Sequence, residues 1–337
     1  MDIHSLLTPW SFDPTITGGV ILAAVLYFRG MRYMRRAGLR LHVKRWQLVA
    51  FVAALVLTVV ALQSPLDALA DIYLIAHMVQ HDLLIFFVAL LLVLSEPAMP
   101  LWRGVPLAWR RYALGWALRR PPIRHVGHKA GWIAGSSVLV WVLFAGNLTA
   151  WHIPALYDLA LEHEPVHVLE HLLYLGTAVI FWAQVIPSAP LRPRLSYLSR
   201  SLYLFAAAVE MHIIALTLLN SVKPYYAYYA DLPRHAGMIS AVMDQTIAGT
   251  LLDAPGFLYL VIILVYLSLW IQQDMRVPDP SPPTFAEMTQ RAPLAEEPVE
   301  TKAHATAGPL QVVWSAHQED ASEDDLGGVN LAQTGTE

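Results

Sequence analysis

The sequence predicts an all-α fold: a polytopic membrane helix bundle of about seven transmembrane helices, N-terminus outside and C-terminus in the cytoplasm. Three observations carry this. Of the 337 residues, 56% are hydrophobic and only 14% charged, and the mean hydropathy is +0.46, outside the usage of soluble domains. The apolar residues fall into seven runs, most of them near the ~20 residues an α-helix needs to cross the hydrocarbon core. The basic residues alternate with these runs so that twenty of the 22 Lys and Arg lie on one side. The surroundings are therefore the lipid bilayer, and no nucleic-acid partner is expected.

Taken in order, the spans run roughly Thr15–Tyr33, Arg45–Gln63, Asp71–Ser95, Gly131–Ala150, Pro165–Ile186, Ser199–Ser221 and Gly237–Gln273. The start, Met1-Asp2-Ile3-His4, has no basic region ahead of a short apolar core, so no cleaved leader is expected. The first span is short before Arg29 and reaches across if Arg29 and Arg32 snorkel to the interface. Arg29 to Arg45, Arg103 to Lys129, Arg192 to Arg200, and Arg276 onward form the basic side, and only Lys223 and Arg234 fall opposite. That asymmetry makes the basic side cytoplasmic. Between the third and fourth spans, Leu107 to Arg120 mixes aromatic and basic residues and reads as an interfacial amphipathic helix. The seventh run contains Pro255-Gly256 and is too long for one straight crossing, so a kink or break is expected there. Residues 1–275 are read as the membrane domain. Residues 276–337, rich in Pro, Ala and acidic residues, are read as a disordered cytoplasmic tail.

The third span carries His77 and His81, four residues apart and so on one helical face. The fifth repeats the spacing with His167 and His171. Ligand-type side chains inside a membrane segment are costly and point to function, although two histidines hydrogen-bonded between helices is the plain alternative. At 1.5 Å per residue, both pairs, with His212 and Asp244, fall in the outer half of the bilayer, none deeper than roughly 15 Å. There is no cysteine, so any metal must be held by His, Met, Asp or Glu. Imidazole suits Cu, Zn, Fe and Ni, and each ligating ring needs an orienting partner on its other nitrogen. Gln80, Glu170, Asp244 and Gln245 are candidates for that role. Met78, Met211, Met238 and Met243 offer thioethers but are better read as packing. The segment from Ala150 to Asp158 is either an interfacial belt with a proline turn or a lid over the histidines, with His152 as a possible gate. Trp10, Tyr225, Tyr226, Tyr228 and Tyr229 read as belt residues.

These residues together resemble the multispan CtaG-type assembly factors of cytochrome c oxidase. The likeness rests on His77-Met-Val-Gln-His81, Trp151-His-Ile-Pro-Ala-Leu-Tyr-Asp158, His167-Val-Leu-Glu-His171 with Tyr174, and Asp244-Gln245 ahead of Gly249 and Pro255-Gly256. It covers roughly residues 10–275. Asp82 and Thr246 depart from the family's usual residues. The resemblance implies a non-enzymatic role in maturing the oxidase in a bacterial-type plasma membrane, with oxidase subunits as partners and copper as the ion handled. His77, His81, His167 and His171 are the expected ligands, with His212 and Asp244 next. A b-type haem electron carrier and a metal or proton transporter are the alternatives.

Overall fold

A computed structural model of the chain describes residues 10–38, 44–188, 195–233 and 238–275. The expected tail, residues 276–337, lies outside the described residues, as does Arg234. Among the described residues there is no strand, and six helices are long and apolar enough to cross a membrane. Large apolar side chains such as Leu172, Leu202, Val261 and Phe257 stand exposed on the outside of the bundle. A chain that faces acyl tails has no reason to hide them.

Helix α1 (Pro14–Arg36) opens on Asp13, whose carboxylate accepts from the Thr15 and Ile16 amides. Helix α2 (Arg45–Gln63) follows, then short α3 (Pro65–Ala70) and α4 (Leu74–Asp82). A π turn (Leu83–Val88) carries α4 on into α5 (Ala89–Ser95), so the expected third span begins three residues later than Asp71. Trp182 donates its indole N–H to the Ile85 carbonyl at 2.9 Å, inside this turn. Wider turns of this kind loosen the main-chain ladder and leave acceptors to side chains.

Helix α6 (Ala98–Gly104) packs back along α1 at backbone contact. A Cβ on Gly30 would collide with the Pro100 carbonyl, and one on Gly104 with the Leu26 carbonyl. Gly104→Val is therefore expected to destabilise the protein by about 1–3 kcal/mol or more. Thermal unfolding in detergent checks this, against Gly146→Val, where a Cβ meets nothing within 4 Å.

Helices α7 (Leu107–Arg119) and α8 (Pro121–Ala134) are almost wholly exposed, with Trp109, Tyr112 and Trp132 outward. The first matches the expected amphipathic segment. The fourth span needs correction. Its expected start at Gly131 belongs to α8, which meets α9 (Ser137–Trp151) at a 90° bend. Gly135 ends α8, and the Ser136 hydroxyl accepts from the Leu139 amide to start a new helix. The apolar stretch is thus an interrupted pair, and seven spans are reached only if the pair counts as one.

Helix α10 (Pro154–Glu162) begins within the Ala150 to Asp158 segment expected to be a belt or a lid, with Pro154 as its first residue. Helices α11 (Glu164–Val185) and α12 (Tyr197–Leu219) are unbroken spans. Short α13 (Ala227–Asp231) precedes α14 (Ala241–Asp253) and α15 (Gly256–Asp274). The last two run on as a 34-residue stretch interrupted at Ala254-Pro255, where proline withholds an amide from the ladder. The main core lies among α4–α5, α11, α12 and α15, around Phe86, Phe181, Trp182 and Tyr259.

Candidate metal centre

Helix α4 starts at Leu74 and α11 at Glu164. Each carries histidines as its fourth and eighth residues, His77 and His81 on one and His167 and His171 on the other. The matched starts put the two pairs at one depth. The start of α4 is pinned from outside: the Asp244 carboxylate accepts from the Leu74 and Ile75 amides at 3.0 and 3.1 Å. A carboxylate on those orphan amides also suits the positive end of the helix. Helix α11 approaches closely at the π turn and α5, and the two chains diverge toward their N-termini. The four imidazoles fill the wedge this leaves.

All four histidines are buried, and Glu170 is completely so. Ring centroids lie 4.3 Å apart for His77 and His81, 4.4 Å for His167 and His171, and 5.1 Å for His77 and His167. The His77 and His81 Nε2 atoms are 2.9 Å apart, and Glu170 carboxylate oxygens lie 3.8 and 3.6 Å from them. One donor atom each from His77, His167 and His171 fall within 4.8 Å of one another, as do those of His77, His81 and Glu170.

The proton positions follow from the partners. The Tyr229 hydroxyl donates to the Ala70 carbonyl at 2.6 Å, so its oxygen receives the His77 Nδ1–H at 3.1 Å. His77 is then the tautomer whose Nε2 lone pair faces the cluster. With that lone pair opposite, His81 donates from Nε2 in the absence of an ion. His81 Nδ1 has no partner among the described residues. Its proton can move there, which would turn the Nε2 lone pair inward. His167 Nε2, His171 Nε2 and both Glu170 oxygens are also without hydrogen-bond partners among the described residues. Buried polar atoms are seldom left so, and several here converge on one point, which makes this a candidate ion site. The donor set, imidazoles with one carboxylate, fits a borderline transition metal such as Cu, Zn, Fe or Ni. Two nitrogens on one such ion would stand about 3.3–3.5 Å apart, so His77 and His81 need to open by roughly half an ångström.

A roof closes the wedge. Helices α10 and α13 are tied together by Asp158, which accepts from the Ala227 and Tyr228 amides at 3.2 and 3.1 Å. From them Tyr157 and Tyr226 stack at 3.8 Å, and Tyr157 lies 5.1 Å from His77. Tyr174 of α11 lies 4.5 Å from His81. This corrects the belt reading of Tyr226 and Tyr229, which are buried, and it makes 150–158 part of a cover over the histidines. Tyr157 lies in the segment that reads as belt or lid, whereas Tyr229 reads in the sequence as belt because aromatic residues near an interface have that simpler explanation. The clue in the sequence was the run of four tyrosines in five positions after Pro224, denser than a belt requires.

His152 sits at the rim. Its Nδ1–H donates to the Leu148 carbonyl at 2.8 Å, with the Tyr174 hydroxyl 3.4 Å away, and its Nε2 is free of partners among the described residues. Burial holds its imidazole down at about 4, against the Leu148 carbonyl that favours the charged form. It is therefore neutral, with a lone pair to offer.

Other expected residues lie elsewhere. His212 is half exposed and pairs with Asp253 at 3.0 Å, on the α12–α14 surface, instead of joining the cluster. Helical phase explains this: Met211, its neighbour, takes the inward position and is buried in the core. Asp244 serves the α4 N-terminus. Gln80 donates to the Ala61 carbonyl and Asp67, tying α4 to α2 and α3 instead of orienting a ring. Gln245 accepts from the Tyr225 amide and donates to the Leu218 carbonyl. Met78 is core packing and Met243 is exposed. Asp82 is buried with Oδ1 lacking a partner among the described residues, while His81 meets His77 and Glu170.

The family model of the cytochrome c oxidase caa3 assembly factor (Caa3_CtaG) matches residues 25–273. An uncharacterized protein of Mycobacterium leprae is 27% identical over 82% of this chain. Uncharacterized proteins of Mycobacterium bovis and Mycobacterium tuberculosis are 25% identical over 82% of it. The chain spans 41% of the length of each of these relatives. No solved structure matches significantly.

Proposed function

The chain belongs to the family of cytochrome c oxidase caa3 assembly factors, and from that premise we propose that it binds copper at the α4–α11 histidine cluster and passes it to the oxidase. It acts as a carrier and not as an enzyme. The observation that supports this most is the convergence of imidazole lone pairs and an unpaired carboxylate in one roofed wedge. A site made only of imidazole and carboxylate holds copper without the near-permanence of thiolates, which suits an ion meant to be given away.

In this reading the histidine end of the bundle faces outward from a bacterial plasma membrane, an orientation supported by the one-sided distribution of basic residues. The ion would enter and leave there. Release requires the α10–α13 roof to part or the rim histidine to accept the ion first. The oxidase subunits are the partners that the family implies.

A haem between α4 and α11 would need a slot for the macrocycle between facing histidines. Here His77 and His167 are 5.1 Å apart, with Tyr157 5.1 Å from His77, and the gap is filled. The copper reading is tested by titrating purified protein with Cu(I) against a competing chelator and recording its optical spectrum. Tight binding of copper with no haem bands is expected. A haem spectrum, or no copper retained, would overturn it.

A further inference from the structure

The stretch from Arg103 to Lys129 holds seven Lys and Arg, and no Asp or Glu occurs between Glu96 and Asp158. Helices α7 and α8 carry most of this charge, and the bundle hardly covers them: α8 has no buried residue and α7 only Arg110. Isolated helices of 13 or 14 residues are marginal in water, so this pair needs another surface to hold it. Helix α8 is two-sided. Ile123, Val126, Ala130 and Ile133 fall on one side of the helix, and Arg124, His125, His128 and Lys129 on the other. Helix α8 meets α9 at 90°, so where α9 crosses a bilayer α8 lies along its surface. That orientation sinks the apolar side into the acyl boundary and holds the basic side among headgroups. On α7, Trp109, Tyr112 and Trp116 share one exposed face, as interfacial aromatics do.

One cation in this region stands apart. Arg110, in the first turn of α7, is 9% exposed, and its guanidinium lies over the Tyr33 ring at 5.9 Å. No carboxylate pairs with it among the described residues. Its Nε has no hydrogen-bond partner there either, and Arg103 Nε is in the same state. A buried charge without a counter-ion is costly. A phosphodiester supplies what is missing, a negative charge with two oxygens spaced for the guanidinium fork.

We infer that α7 and α8 form a binding surface for anionic phospholipids in the leaflet on the basic side of the bundle, with one headgroup phosphate seated on Arg110. The apolar side of α8 and the aromatic face of α7 select a lipid over a free phosphate, because only acyl chains bury them. A zwitterionic headgroup brings a cation of its own, which the run of Lys and Arg repels, whereas an anionic headgroup brings none. The surface shares no residue with the histidine wedge, so it stands or falls apart from the copper reading.

Native mass spectrometry of the full chain, released from detergent holding equal amounts of phosphatidylglycerol and phosphatidylcholine with the same acyl chains, reads the preference. Retained phosphatidylglycerol should exceed phosphatidylcholine about fivefold or more, the factor that one Lys or Arg near an anionic surface contributes. Arg110→Gln should bring the ratio close to one. Arg124→Gln with Lys129→Gln, on a helix that has no buried residue, should at least halve it without touching the core. The chain has no cysteine, so Val126→Cys and His128→Cys can each carry a single spin label in phosphatidylglycerol bilayers. The label in place of Val126 should meet dissolved oxygen in preference to a water-soluble nickel chelate, and the label in place of His128 the reverse. Equal retention of the two lipids by the wild type, a preference that survives Arg110→Gln, or a Val126 label that sits in water overturns the inference.

Discussion

Changing His77 and His171 together to alanine is expected to abolish copper binding and to leave the oxidase without its copper. One residue comes from each helix, so the double change removes a donor from both walls of the wedge and leaves no complete set of three nitrogens. Each single change should weaken binding more mildly, because the remaining histidines and Glu170 still offer a site. His128→Ala, on the exposed face of α8 well outside the cluster, should change neither quantity. Copper per protein after affinity purification, with oxidase activity in membranes, reads both. A double variant that retains wild-type copper would leave the four histidines as packing residues.

Glu170→Gln is the second large effect. The carboxylate is fully buried, 3.6 and 3.8 Å from two imidazole nitrogens, and has no hydrogen-bond partner among the described residues. Without a cation such a negative charge has little to stabilise it; with one, it lowers the ion's energy in a medium that screens poorly. Glutamine keeps the volume and removes the charge. Copper affinity should fall about 10–100-fold, the usual range for groups that support a metal site closely. The fold should persist, because no hydrogen bond holding two helices is lost. An unchanged affinity would mean that the ion sits on the imidazoles alone.

Most of the fold was legible because a bilayer permits few solutions. Apolar runs, basic loops and the Pro255 interruption are direct consequences of burying backbone in hydrocarbon. The 90° turn at Gly135-Ser136 was hidden because the apolar stretch is continuous through it, and only a serine cap marks the restart. At the site, the i, i+4 spacing identified the two histidine pairs, since that spacing is itself a geometric statement about a helix face. Depth alone was a weaker guide. It did not separate His212 and Asp244 from the cluster: phase around α12 turns His212 outward to Asp253, and Asp244 is taken by the α4 amides. The roof was least legible. Tyr157 and Tyr229 reach His77 only through the pairing of α10 with α13, a contact between segments some seventy residues apart.

X-ray absorption at the copper edge of the purified, copper-loaded protein tests the central claim most directly. Nitrogen and oxygen scatterers are expected in the first shell, about 2.0 Å away, with the outer-shell pattern of several imidazoles. That pattern should be lost in the His77→Ala, His171→Ala variant. A first shell containing sulfur would move the ion to the methionines, and a spectrum unchanged by the double substitution would place it away from the α4–α11 wedge altogether.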